Sequence, residues 1–447
     1  MLPSISPALS ATFQQWQTRL HQELWRQVMP FWLNHSLDRE EGGYFNNLDR
    51  DGRVYDTQKH VWLQARQVWM TAKFHNQGFD LSGNRRESLV DNSPAQHPAT
   101  PDTWLAVAQW GLTFLRRYAH RSDHRVYFCL TRHGDPVYLQ RKIFSECFYI
   151  MALSEVCRAT TDPVLLGELW AETQAVFRAV WIWSEDLSLL GHPCWSGSVA
   201  VSQLAIPMIL LNVLEELSET FSQFVCIRLE IEESKVIEEG WKVKASDCVE
   251  KILRHVRSDL NLVLETVGVA GELMDGPEGR LVNPGHAIEA GWFLLAYAER
   301  NKHENLMKTA IQMIEWSLNI GWDPDYGGLF YFLDREGYSP IQLEWNLKLW
   351  WPHCEAMIAT LWAGAVTKDM AWLARFETIA DYTFSHFPDP DYGEWFGYLD
   401  REGRVSQRFK GGPYKGCFHV PRALWLSHTL LTRLLCSFPQ SEDETRS

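Results

Sequence analysis

Helical periodicity in twelve stretches, an aromatic hairpin motif recurring between them, and the lack of a Pro/Gly/Ser-rich linker predict an all-α protein. The expected architecture is an (α/α)6 barrel with short β-hairpins in its connecting loops. The stretches are Ala11–Leu33, Tyr55–Phe74, Thr103–Tyr118, Lys142–Ala159, Pro163–Ser184, Ser198–Leu217, Ser246–Leu264, His286–Asn301, Glu304–Ile320, Leu347–Ala365, Met370–Phe387 and Arg422–Cys436. In each, apolar residues recur three and four apart, the spacing that gathers them on one face of a helix.

The hairpin motif reads GYFNNLDRDG over Gly43–Gly52, GLFYFLDREG over Gly328–Gly337 and GEWFGYLDREG over Gly393–Gly403. A weaker copy, RVYFCLTRHG, covers Arg125–Gly134. Aromatic and polar residues lead into an acidic–basic pair and a glycine, as in a strand entering a tight turn. Helix pairs joined by such hairpins close into a ring whose inner helices bury both faces. One domain over residues 1–447 is expected. Two polar or alternating stretches, at about 77–102 and 219–244, read as loop insertions, where added length costs little.

Composition removes several function classes. A formal net charge of −14 argues against nucleic acid or an anionic membrane as partner, since both call for a positive surface. Nine scattered cysteines without a C-x-x-C pair fit free thiols in a reducing cytoplasm, and no metal site is expected. Met1–Leu20 lacks the charged and apolar regions of a signal peptide, and the longest apolar run, Leu204–Leu211, is too short to span a bilayer. The chain contains 22 Trp, 22 Phe and 14 Tyr, enough to fill a wide core and still present ring faces to a sugar.

Four segments place polar groups in aromatic helical surroundings. In Asn283–Trp292 (NPGHAIEAGW), Pro284 and Gly285 precede a helix start, His286 falls in the first turn, and Glu289 follows at i+3 on the same face. Glu355 follows two tryptophans and a proline in Trp350–Ala356 (WWPHCEA). A glycine-rich loop, Lys410–Arg422 (KGGPYKGCFHVPR), delivers His419 ahead of the last helix. Arg66 interrupts an aromatic helix face in Lys59–Trp69. The loop lacks the strand–loop–helix setting of a phosphate cradle. Taken as chemistry alone, two histidines and two glutamates serve either proton transfer or glycoside cleavage.

These segments resemble the signature segments of the N-acylglucosamine 2-epimerase family, and the resemblance runs from about Trp16 to Leu435 outside the two insertions. It implies an (α/α)6 barrel, an acid/base pair at His286 and His419, and site-lining roles for Arg66, Glu289 and Glu355. It also implies a small sugar substrate, no required cofactor, ATP as an activator of some members, and a homodimer as a common assembly. Cellobiose 2-epimerases of the same superfamily carry a further histidine on the helix that here reads Ala205–Leu210. This chain has none there, which favours an N-acyl sugar over a disaccharide. Cellobiose 2-epimerase and aldose–ketose isomerase are the alternatives within the superfamily, and glycoside hydrolase and a non-enzymatic binding role those outside it.

The chemistry calls for such residues. Inverting C2 of an aldose means removing a weakly acidic proton from one face and returning one to the other. Two imidazoles, which titrate near neutrality, can alternate as base and acid. Arg66 is the fixed cation for the anion that develops on O1. Glu289 and Glu355 orient His286, assist ring opening or hold hydroxyls, while Trp351 and Tyr414 stack on the sugar.

Overall fold

A computed structural model describes residues 7–85, 103–191, 195–225 and 231–437. In chain order its α-helices are α1 (Pro7–Gln22), α2 (Met29–His35), α3 (Val61–Asn76), α4 (Trp104–Tyr118), α5 (Phe144–Ala159), α6 (Pro163–Glu185) and α7 (Ala205–Thr220). They continue with α8 (Ile231–Leu253), the short α9 (Pro277–Arg280), α10 (Pro284–Arg300), α11 (Glu304–Gly321), α12 (Trp350–Thr367), α13 (Ala371–His386) and α14 (His419–Ser437). Strands of two or three residues lie between them. No described helix is long and apolar enough to cross a membrane.

The chain groups into two compact units. Unit 1 comprises Met1–Pro30, Val282–Gln407 and His419–Ser447, and unit 2 comprises Phe31–Leu281 and Arg408–Phe418. Within unit 1, α10 packs on α11 and α12, α12 on α13 and α14, and α14 on α1. Within unit 2, α3 packs on α4 and α5, α5 on α6 and α7, and α7 on α8. Two kinds of helix alternate. In α3, α5, α10 and α12 nearly every side chain is buried, whereas α4, α6, α11 and α13 bury one stripe. A polar group in the first kind has no water to fall back on, so it must be hydrogen-bonded within the protein.

Both units use the same buried latch to hold such a helix. In unit 2 the Asp38 carboxylate accepts from Lys59 Nζ at 2.9 Å and Arg132 Nε at 2.8 Å. In unit 1 Asp323 accepts from Lys348 Nζ at 3.0 Å and Arg401 Nε at 2.9 Å. Burial works to raise both carboxyls, but the paired cations win and hold them below the usual carboxylate range. Lys59 and Lys348 sit in two-residue strands that run straight into α3 and α12. Each of those strands edges a three-stranded antiparallel sheet, Lys59–His60 with Cys129–Leu130 and Pro136–Tyr138, and Lys348–Leu349 with Tyr398–Leu399 and Val405–Gln407.

The recurring motifs are tight turns, as expected. Gly52, Gly134, Gly337 and Gly403 have φ of 84°, 95°, 82° and 84°, and each donates its N–H to the carbonyl three residues back at 3.0–3.1 Å. A left-handed residue closing a turn is the place where glycine is needed.

Three boundaries differ from the sequence reading. Tyr55–His60 contributes strands, and α3 starts at Val61, because Lys59 and His60 are engaged by Asp38 and by Asn46 Oδ1. Val201–Gln203 is a strand paired with Thr266–Gly268, so α7 starts at Ala205. Past Leu253 the expected helix gives way to a hairpin pairing Val256–Arg257 with Leu262–Val263, turned through Asn261 at φ 54°. The insertion expected at 219–244 is also revised. Phe221–Val225 continues α7 as a π-helical turn and residues 231–244 belong to α8, while 226–230 lie outside the described residues. Of the insertion at 77–102, residues 77–85 form a small turn with Phe79 bridged to Arg85, and 86–102 lie outside the described residues.

Candidate active site

Unit 1 brings together His286, Glu289, Trp351, Glu355 and His419 at the starts of three helices. α10 begins with Pro284 after Asn283, whose side chain accepts the His286 N–H at 3.1 Å. Proline at the first helical position and an Asn cap fix the first turn and hence the place of His286. His419 is the first residue of α14, which starts three residues before Arg422, where the sequence reading began the helix.

The centre of the cluster is the Glu355 carboxylate. Its Oε1 accepts from Arg422 at 2.6 Å and from His419 Nδ1 at 2.8 Å, and its Oε2 accepts the Trp292 indole N–H at 2.9 Å. An ionised carboxylate can only accept, so Nδ1 of His419 is the donor in this pair, and in the neutral ring the lone pair then falls on Nε2; Arg422 also lies 3.4 Å from Nδ1. Arg422 also donates to Glu289 at 2.9 Å. Burial disfavours the Arg422 charge, and Glu355 and Glu289 more than restore it. Glu289, expected near His286, is thus engaged with a cation on α14. Glu289, Glu355 and His419 are the one trio of metal-ligand type among the described residues, and the guanidinium of Arg422 already lies among their ligand atoms.

Trp351 is the common neighbour of both histidines, with ring centroids 5.2 Å from His286 and 5.9 Å from His419. It is only 9% exposed, and Gly285 packs so close that an added Cβ would fall 2.5 Å from its ring. Trp351 is thus a ring fixed beside both imidazoles.

The other two expected residues belong to unit 2. Arg66 is buried on α3 with its guanidinium 4.0 Å from the Phe148 centroid, 4.4 Å from Trp62 and 4.8 Å from Phe418. Tyr414, by contrast, is 62% exposed and stands edge-on to Trp62 at 6.2 Å.

His353, inside the same tryptophan-rich segment as Glu355, has a different task. It is fully buried, donates Nδ1–H to the Leu349 carbonyl at 2.6 Å and accepts the Leu329 N–H on Nε2 at 2.9 Å. Burial brings it down to about 3, so it stays neutral and ties the Gly328–Gly337 hairpin to α12.

Sequence reasoning assigned no role to Arg422 or Trp292. The signal was present: Arg422 lies three residues beyond His419, and Trp292 three beyond Glu289, each on the face of its site residue.

With this geometry in hand, comparison with known proteins gives the class. The structure of cellobiose 2-epimerase from Bacillus thermoamylovorans B4167 superposes with a TM-score of 0.72 at 18% identity, covering 93% of this chain and 99% of that one. The fold is the (α/α)6 barrel that the helix pairs predicted. The family model described as N-acylglucosamine 2-epimerase (GlcNAc 2-epimerase) matches residues 43–92 and 228–423. Proteins named N-acylglucosamine 2-epimerase from Bos taurus and Homo sapiens are each 44% identical to it. The bovine match covers 98% of this chain and 96% of the relative, the human match 95% and 92%. The chain belongs to the N-acylglucosamine 2-epimerase family and is an isomerase, a carbohydrate epimerase.

Proposed function

We propose that this chain interconverts N-acetylglucosamine and N-acetylmannosamine, with His286 and His419 as the acid/base pair at C2. The observation that carries the reading is the Glu355–His419 hydrogen bond, which commits Nδ1 as donor and leaves Nε2 as a base. Once the sugar ring is open, the C1 aldehyde acidifies the hydrogen on C2. One imidazole takes that proton, and the C–H electron pair forms the C1–C2 double bond while charge moves to O1. The other imidazole then returns a proton to the opposite face of C2 and the carbonyl re-forms. Atoms balance without an oxidant or reductant, so the step calls for no redox cofactor.

Arg422 offsets one of the two negative charges of Glu355 and Glu289, and the charge left over favours the protonated form of His419 as it gains and loses its proton. Arg66, a permanently charged donor held by aromatic rings, enters the proposal as the cation for the O1 anion. Trp351 flanks both imidazoles, and Tyr414 is the exposed ring available to a sugar face.

N-acetylmannosamine incubated with the protein in D₂O tests the reading. The expected result is N-acetylglucosamine with deuterium at C2, and His286→Asn and His419→Asn should each lower the rate by about 10²–10⁴-fold. A ketose product would point to aldose–ketose isomerisation instead. Unchanged monosaccharide together with cleavage of glycosides would point to hydrolysis by Glu289 and Glu355.

A further inference from the structure

The hydrogen-bonded cluster around Glu355 continues along the three helices of unit 1 beyond any residue the chemistry uses. Trp292 on α10, whose N–H holds Glu355 Oε2, stacks on Trp362 of α12 with centroids 5.7 Å apart and planes 24° from parallel. The Trp362 N–H donates to Glu299 Oε2 at 3.0 Å. Glu299, on α10, is clamped in turn by both terminal nitrogens of Arg433 on α14, Nη1 at 3.1 Å and Nη2 closer still. The ends of this chain mirror each other. At each end a carboxylate accepts one indole N–H and one arginine.

The sequence spacing explains why. Trp292 and Glu299 are seven residues apart on α10, as are Glu355 and Trp362 on α12, two turns along one face in each case. Arg422 and Arg433 lie eleven apart on α14, three turns along one face and roughly 16 Å in rise. The two rungs are therefore cross-linked: α10 lends a tryptophan to a glutamate of α12, and α12 lends one back to a glutamate of α10. Arg422 also lies 5.4 Å from the Trp292 ring centroid, so the indole is held on several sides.

We propose that Trp362, Glu299 and Arg433 are positioning residues for the active-site base. They fix the Trp292 indole, the indole fixes the rotation of the Glu355 carboxylate, and the carboxylate fixes the Nδ1–H tautomer of His419. The proposal rests on the assignment of His419 as base but is tested separately from turnover. Loss of Trp362 leaves an indole-sized gap beneath Trp292, freeing its N–H from Oε2. Catalytic groups tolerate displacements of only about 0.5 Å before rates fall.

Trp362→Phe keeps the ring and removes the N–H, Trp362→Leu removes the stack, and Arg433→Met unclamps Glu299. Nitrogen-15 histidine spectra, with the His419 signals assigned by their loss in His419→Asn, read the tautomer without any substrate. The Nδ1–H form is expected to dominate in the unaltered protein, with mixed tautomers in Trp362→Leu, Trp362→Phe and Arg433→Met, since each breaks a link between Arg433 and Trp292, and Arg433→Lys near the unaltered state. In the deuterium exchange assay, kcat should fall about 3- to 30-fold in Trp362→Leu with KM within twofold. That loss should shrink to within twofold in a Glu355→Gln background, because the effect passes through Glu355. A purely structural role would lower the melting temperature while leaving tautomer and kcat unchanged at temperatures well below it. That outcome, or an undiminished loss in the Glu355→Gln background, overturns the proposal. Absence of exchange by the unaltered protein overturns the proposed function instead, and the tautomer spectra then decide this inference alone.

Discussion

Gln64 of α3 accepts the Tyr44 N–H on Oε1 at 2.7 Å, and His353 of α12 accepts the Leu329 N–H on Nε2 at 2.9 Å. Two positions further on, α3 carries Arg66 and α12 carries Glu355. Unit 2 surrounds its arginine with Phe148, Trp62 and Phe418, whereas unit 1 surrounds its glutamate with Arg422, His419 and Trp292. The latches below them are alike down to the Asp–Lys–Arg trio. Conserving the frame while inverting the charge displayed on it separates two jobs that are often conflated. The Asp–Lys–Arg trio and the N–H catch hold a hairpin against a helix, and the residue two steps along is the one to which the proposed function gives a chemical role.

The largest effect should come where the units differ. Glu355→Gln removes the acceptor that commits His419 Nδ1, and kcat is expected to fall about 10²–10³-fold, with the chain still folded because Arg422 keeps Glu289 as its partner. Arg66→Met should reduce kcat/KM about 10²-fold, again without unfolding. If steady-state kinetics showed either variant active, or calorimetry showed it unfolded, the separation of frame from chemistry would be broken.

Where the units agree, effects should match. Asp38→Asn and Asp323→Asn each leave buried cations uncompensated, so each is expected to cost about 3–5 kcal/mol in urea unfolding. A gap of more than about 2 kcal/mol between them would show that the latches are alike only in outline. Both carboxyls are depressed in the folded state. Their stabilisation is complete above about pH 4, the unfolded value, and declines as pH falls toward the lower folded value.

The smallest effect concerns the catch itself. His353→Ala strands the Leu329 N–H and should cost about 1–3 kcal/mol, while His353→Gln should recover most of it, since Gln64 does that work in unit 2. His353 is held down to about 3 when folded. Its contribution is therefore full above about pH 6.5, and is lost as pH falls toward 3 because only the unfolded chain takes up the proton. His353→Gln should flatten that part of the acid-unfolding curve.

Much of this organisation was legible in the sequence because it rests on local rules. Apolar spacing marked the helix pairs, and the acidic–basic–Gly endings marked the turns at Gly52, Gly134, Gly337 and Gly403. The boundaries at Tyr55, Ser198 and Leu264 were misread because short strands buried among helices share their apolar content and lack length to show a period of two. His353 and Glu355 stood in one motif, and nothing local told the latch from the site. The difference lies in partners at Leu329 and His419, which only folding supplies. Arg422 was overlooked for a related reason, since its importance comes from carboxylates on two other helices.

Gly285 carries a consequence for how this protein varies. A methyl group there meets the rigid bicyclic ring of Trp351 at 2.5 Å and Pro352 at 3.1 Å, so neither neighbour can yield by a rotamer change. The ring it would push is the one that packs beside both histidines. The glycine and the tryptophan should therefore drift together among related sequences, a bulkier residue at one tolerated only with a smaller ring at the other. A single alanine at 285 is expected to lower turnover by shifting that ring, with every polar side chain of the cluster still in the chain.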